Sequence, residues 1–120
     1  MKHLCHAHGC ECFVPPRMFV CKKHWKRLRR PMQQAIWREY RPGQENDKRP
    51  SLRYLAVQRR AIAELAFRPN DEQAAGDAAP YFIDSEVYRV AAIKAGLGDP
   101  LEGLTPYPAL VRPPDGGKGL

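Results

Sequence analysis

A chain of 120 residues has room for one domain with a modest core. Its net charge of +7 is unevenly spread: residues 1–60 carry 15 Lys/Arg and 4 Asp/Glu, residues 61–120 carry 5 and 9. A basic first half attracts polyanions or an acidic protein surface. No apolar run is long enough to cross a bilayer, and Met1-Lys2-His3-Leu4-Cys5 lacks the apolar core of a signal peptide. The expectation is a soluble protein in a reducing cytoplasm, with no membrane partner.

Residues 5–32 hold all four cysteines, together with His6, His8 and His24. Cys5 and Cys10 bracket Gly9, which relieves the turn between them, and Cys21 is followed by His24 after two residues. Tetrahedral Zn²⁺ takes four N/S ligands, and close pairs let each half of the site come from one tight local structure. The spacing predicts one structural zinc ion held by Cys5, Cys10, Cys21 and His24. Cys12 lies two residues beyond Cys10 and competes with it, as do His3, His6 and His8 for places around the ion. Two disulfides or a redox dithiol are the other uses of four cysteines; a reducing compartment favours metal.

Phe13 and Val14 can form one short arm of a hairpin and Met18–Val20 the return, with Pro15-Pro16 near the turn. Neither arm is long enough to hold itself, so the metal acts as a folding ligand. The run 22–30 reads as a helix ending near Pro31. Cys21, His24, Trp25, Leu28 and Met32 fall on its ligand-bearing apolar face, and Lys22, Lys23, Lys26, Arg27, Arg29 and Arg30 on the other. A knuckle, a hairpin and a helix whose first turn supplies the last two ligands make a treble-clef-like zinc finger.

Pro31 suits the first turn of a new helix through Tyr40, with Met32, Ala35, Ile36 and Tyr40 at helical spacing. Trp25, Trp37 and Tyr40 read as ordinary core packing. Residues 41–50 form a polar loop, and Ser51 offers an N-cap for a helix to about Phe67. Leu52, Leu55, Ala56, Ile62, Ala63 and Ala66 supply its buried stripe, while Arg53, Gln58, Arg59 and Arg60 read as solvated. The acidic, breaker-rich stretch 68–80 reads as a linker, and Ser85–Ala95 as a short helix stopped by Gly96. From residue 98 the chain has five prolines and five glycines and reads as a flexible tail. The predicted architecture is therefore small and mainly α: a zinc finger over 1–30, a helical segment packed on it over 31–67, a linker over 68–80, a short helix within 81–97, and a tail over 98–120.

The segments Cys5–Cys10 (CHAHGC), Val14–Trp25 (VPPRMFVCKKHW), Ala35–Gln44 (AIWREYRPGQ) and Asp47–Ser51 (DKRPS) resemble a family of small bacteriophage and prophage proteins of largely unassigned function. The resemblance covers the chain to about residue 70. It implies a phage gene product acting inside a bacterial host, and it supports Cys5, Cys10, Cys21 and His24 as recurring ligand positions; Cys12 departs from the pattern. A weaker similarity is to the zinc-binding part of phage homing and recombination endonucleases. Their catalysis needs a further histidine and metal-binding side chains. This chain has no histidine after His24, so such a nuclease is not expected.

No catalytic frame surrounds Cys12, His3, His6 or His8, and four ligands make a closed metal site, so the expectation is a non-enzymatic protein. Two binding functions remain. One is an accessory protein that binds and modulates a host or phage protein, such as a defence or transcription component. The alternative is nucleic-acid binding through Lys22, Lys23, Lys26, Arg27, Arg29 and Arg30, extended by Arg53, Arg59 and Arg60. Base-reading Asn or Gln is absent from the run, and some of its charge offsets the net −1 of a three-thiolate, one-imidazole zinc centre.

Overall fold

The computed structural model describes residues 3–7, 9–15, 18–40, 50–67, 71–102 and 104. Their elements run β1 (His3–Leu4), β2 (Phe13–Val14), α1 (Lys22–Arg27), α2 (Arg30–Glu39), α3 (Leu52–Ala66) and α4 (Glu72–Lys94). The fold is small and mainly helical, with a two-stranded antiparallel hairpin at its N-terminal end and a Cys/His cluster beside it.

The hairpin partner differs from the expected one. Phe13–Val14 pairs with His3–Leu4, in the register His3 opposite Val14 and Leu4 opposite Phe13, and not with Met18–Val20. The Cys5 N–H donates to the Cys12 carbonyl at 2.7 Å and extends the pairing inward. The loop thus closed is the knuckle itself. Met18–Val20 returns alongside it through a bond from the His6 N–H to the Phe19 carbonyl at 2.7 Å. Pro16 of the expected turn lies outside the described residues, as do His8 and most of the polar loop, 41–49.

The helix expected over 22–30 is broken after Arg27. Leu28 and Arg29 are extended, with ψ of 143° and 148°, and α2 starts at Arg30 with Pro31 in its first turn. Proline cannot continue a helix, because it lacks the N–H and its ring meets the carbonyl four residues back. It is tolerated in a first turn, where the N–H has no partner. The exposed end of α1 is closed by Gln33, whose side-chain amide donates to the carbonyls of Trp25 (2.7 Å) and Leu28 (3.4 Å).

Ser51 caps α3 as its sequence implies, accepting from the Tyr54 N–H at 3.0 Å. Met32, Ala35 and Ile36 of α2 and Tyr54, Val57, Ala61, Ile62 and Leu65 of α3 join Val14, Phe19, Val20 and Leu28 in one buried cluster. The knuckle and the helices therefore share a core.

The expected linker over 68–80 is instead helix from Glu72 on, and the helix expected over 85–95 is the C-terminal half of that same 23-residue element. Asp71 caps it, accepting from the Ala74 N–H at 3.1 Å, and Glu72 sits favourably in the first turn. Gly76 and Pro80 lie inside it. Burial overrides these breakers: Ala74, Ala78 and Phe82 face inward, and Ala78 and Phe82 pack with Ala63, Ala66 and Phe67 of the α3 end.

The chain after α4 is also more ordered than its composition suggests. Pro100 and Leu101 are buried. Arg89 grips both Asp99 oxygens at 2.9 Å, Arg53 donates to the Leu97 carbonyl at 2.6 Å, and Arg38 to the Pro100 carbonyl at 3.1 Å. Residues 105–120 of the expected tail lie outside the described residues.

Candidate metal centre and its cationic rim

The knuckle and α1 converge on one cluster of ligand atoms. Gly9 adopts φ of 79°, a conformation that favours glycine, and the Cys10 N–H closes the turn on the Ala7 carbonyl at 3.0 Å. Cys21 is the N-cap of α1, and its N–H donates to the Cys5 sulfur at 3.2 Å. His24, three residues on, is thereby brought over the same point.

The Sγ atoms of Cys5, Cys10 and Cys21 and a ring nitrogen of His24 all lie within 4.8 Å of one another. His24 Nδ1 is 3.2 Å from Cys21 Sγ and 3.6 Å from Cys5 Sγ, and Cys10 Sγ is 4.0 Å from Cys21 Sγ. A tetrahedral ion with Zn–S near 2.3 Å and Zn–N near 2.0–2.1 Å would separate its donors by about 3.5–3.8 Å. The observed separations straddle that range, so these four side chains could hold a metal ion with small adjustments. All four cysteines are free thiols.

Cys12 stands outside this group with an exposed side chain, although its backbone anchors Cys5. His3 and His6 pack edge to face at 5.2 Å, and His6 lies 3.5 Å from the Gln58 amide. Burial lowers the His6 pKa, helped by the neighbouring charges of His3 and Arg59. Within the cluster, burial pushes the Cys5 thiol up to about 11, against hydrogen bonds from the Ala7 and Cys21 backbone. At Cys21 burial also pushes upward, but hydrogen bonds from His24, Cys5 and Cys10 outweigh it and bring the thiol to about 6. The Cys12 thiol is raised, chiefly by its interaction with Cys10.

The predicted cationic residues separate into two groups. Lys22, Lys23, Lys26 and Arg27 are exposed on α1 and form no ion pair among the described residues. Arg29 is paired with Glu64 of α3, while Arg30 is exposed in the first turn of α2. The arginines of α3 are not solvated as expected. Arg53 makes a two-pronged pair with Glu39 at 2.8 Å, Arg59 lies 4.0 Å from Asp84, and Arg60 is buried. Arg60 donates to Ser85 at 3.2 Å and Glu86 at 2.8 Å and lies 5.6 Å from the Phe82 ring centre. Burial removes Arg60 from any free cationic surface, and the carboxylates of Glu39 and Asp84 offset the charges of the half-buried Arg53 and Arg59.

Sequence periodicity also understated the aromatic residues beside α1. Trp25, Trp37, Tyr40 and Tyr54 form a row of edge-to-face contacts at 5.9, 5.7 and 6.3 Å. Trp37 closes no core: it is 59% exposed and walls a small apolar recess with Met18, Phe19 and Trp25. On the other side of the cluster, Cys10 and His24 line a cleft of about 500 Å³ with Lys23, Arg27, Asp71 and Asp77. Among the described residues no helix is long and apolar enough to cross a membrane. Comparison with models of protein families, curated proteins and solved structures finds no match for this chain.

Proposed function

We propose that the chain is a non-enzymatic zinc-finger accessory protein that binds and modulates an acidic partner protein, from a bacterial host or a phage, in the host cytoplasm. Three thiolates and an imidazole form a donor set suited to Zn²⁺, and four protein ligands leave the ion no open position for chemistry. Its role is to fix the knuckle against α1. The observation that supports the binding function is the nearness of the exposed cations Lys22 and Lys26, which flank Trp25 on α1 and form no ion pair among the described residues, to the aromatic row that Trp25 makes with the exposed Trp37 of α2. An aromatic anchor within a cationic rim suits an acidic protein surface carrying an apolar side chain. The phage setting rests on the resemblance in residues 5–51.

Affinity capture from host lysate with the zinc-loaded chain tests this reading. Wild type should retain a defined protein that Trp37→Ala and the Lys22→Glu/Lys26→Glu pair both release, at unchanged zinc content. Retention indifferent to both changes, or no retention by a folded, zinc-loaded chain, counts against it.

The same unpaired cations favour a second reading, binding to nucleic acid. It requires an affinity whose logarithm falls with the logarithm of salt concentration by about 0.9 per phosphate contacted on duplex DNA. Gel shifts at two salt concentrations decide it: binding that ignores salt, or is absent at low salt, removes this reading.

A further inference from the structure

Cys12 stands outside the four-donor cluster without being remote from it. It follows Cys10 by two residues, and its carbonyl accepts from the Cys5 N–H at 2.7 Å. That bond holds residue 12 against the knuckle while its side chain stays exposed. The thiol also hydrogen-bonds to the cluster, chiefly to the Cys10 sulfur and less to that of Cys21. Cys10 is half-buried and lines the cleft beside α1, whereas Cys5 is buried. A free cysteine with only a packing role is ordinarily buried. Here an accessible thiol touches a metal donor from outside the donor set.

We infer that Cys12 and Cys10 form an oxidation site, at which hydrogen peroxide links the two sulfurs and the metal ion is expelled. The inference rests on the reading of the cluster as a zinc site. In the first step the Cys12 sulfur attacks one peroxide oxygen and the O–O bond breaks; Cys12 becomes a sulfenic acid and hydroxide leaves. In the second the Cys10 sulfur attacks the Cys12 sulfur and the S–O bond breaks; a disulfide forms and a second hydroxide leaves. The two thiol protons convert both hydroxides to water. Two thiols and one peroxide thus give one disulfide and two waters, with two electrons passing from sulfur to oxygen.

Three features select this pair. Cys12 is the cysteine that a four-coordinate ion leaves unbound, so it is the thiol open to an oxidant. Cys10 is the donor its thiol contacts most strongly, so closing the bond needs little movement. Once in a disulfide, Cys10 is no longer a thiolate, and Cys5, Cys21 and His24 remain as three donors for an ion that takes four in structural sites. Only Glu11 separates the two cysteines, so the ring is tight, and strained or exposed disulfides are the readily reduced ones. A thiol reductant therefore restores the dithiol and the site. Between the two states the knuckle is freed from α1 and then fixed again.

Peroxide treatment of the full zinc-loaded chain, followed by mass spectrometry and a chromogenic zinc indicator, tests the inference. Wild type should lose two thiols, become lighter by about 2 Da, yield a peptide linked through Cys10 and Cys12, and release its zinc in step, all reversed by dithiothreitol. Cys12→Ser should load zinc as wild type does and release it roughly tenfold more slowly, because an oriented neighbouring thiol is gone. Equal release rates for wild type and Cys12→Ser, or a disulfide joining Cys12 to a sulfur other than that of Cys10, overturn the inference and leave the zinc reading in place. A folded wild-type chain that takes up no zinc before treatment fails the zinc reading, and the inference with it.

Discussion

Between Cys5 and Leu28 the described regular structure amounts to the end of a two-residue strand pairing and one six-residue helix, whereas Leu52–Ala66 and Glu72–Lys94 form a helical pair of 15 and 23 residues. The first region places four ligand atoms within 4.8 Å of one another. The second brings helices close through buried alanines at 56, 61, 63, 74, 78 and 92, and locks them with the Arg60–Ser85–Glu86 network. Short elements cannot offset the conformational entropy of ordering them by burial alone, so a point crosslink is needed; long ones distribute the same task over many side chains. If the cluster holds an ion, the N-terminal region should therefore fail all at once when it is removed, while the helical pair should lose only the part of the core it shares with the knuckle.

Removing the metal is expected to have the largest effect. Chelation at neutral pH should abolish the near-ultraviolet signal of Trp25 while most of the far-ultraviolet helical signal remains, since structural zinc supplies on the order of 10 kcal/mol to small finger domains. Cys10→Ser should lose the ion and behave like the chelated protein, and Cys12→Ser should keep it; the reverse order, read by metal analysis, would move the second ligand to Cys12.

In the helical pair, Phe82→Ala should lower the unfolding free energy by about 3–5 kcal/mol, the range for emptying a buried aromatic site, and should leave metal content intact. A loss of metal together with stability would show that the two regions do not hold independently.

Acid should weaken the clamp behind α4. Hydrogen bonding to Arg89 holds the Asp99 carboxyl below its ordinary range, and Arg53 does the same for Glu39. A carboxyl whose folded pKa lies below its unfolded one stabilises fully above the ordinary carboxylate range, near pH 4, and loses that contribution as pH falls through the folded value. Asp99→Asn should therefore lower the melting temperature at pH 7, and the gap to wild type should close on acidification. A gap that widens instead would reverse the assignment of sign.

Gly76→Ala should have the smallest effect and the opposite direction. A methyl group at Gly76 meets no atom within 4 Å, so the ordinary helical gain of about 0.5–1 kcal/mol should appear in denaturant titrations. Destabilisation there would mean that the backbone at Gly76 departs from regular helix.

The Cys/His cluster that could hold a metal ion was legible in the sequence, because Cys5, Cys10, Cys21 and His24 sit at spacings only a few backbone conformations can serve. So were the cap at Ser51 and the restart at Pro31, which are local chemistry. Gly76 and Pro80 misled, since breakers report local preference while α4 is decided by what Ala78 and Phe82 bury against α3. The arginines of α3 misled in the same way: a charged side chain in the sequence does not reveal that Glu39 or Glu86 waits across a helix interface.

The sequence alone thus determined the chemistry that acts over a few residues: ligand pairs, caps and the breaks that proline imposes. Tertiary structure alone decided which strand pairs with Phe13–Val14, which cations find a carboxylate among the described residues and how far α4 extends. Each of those outcomes is fixed by contacts between side chains distant in the chain, whose burial outweighs the preferences of any single residue.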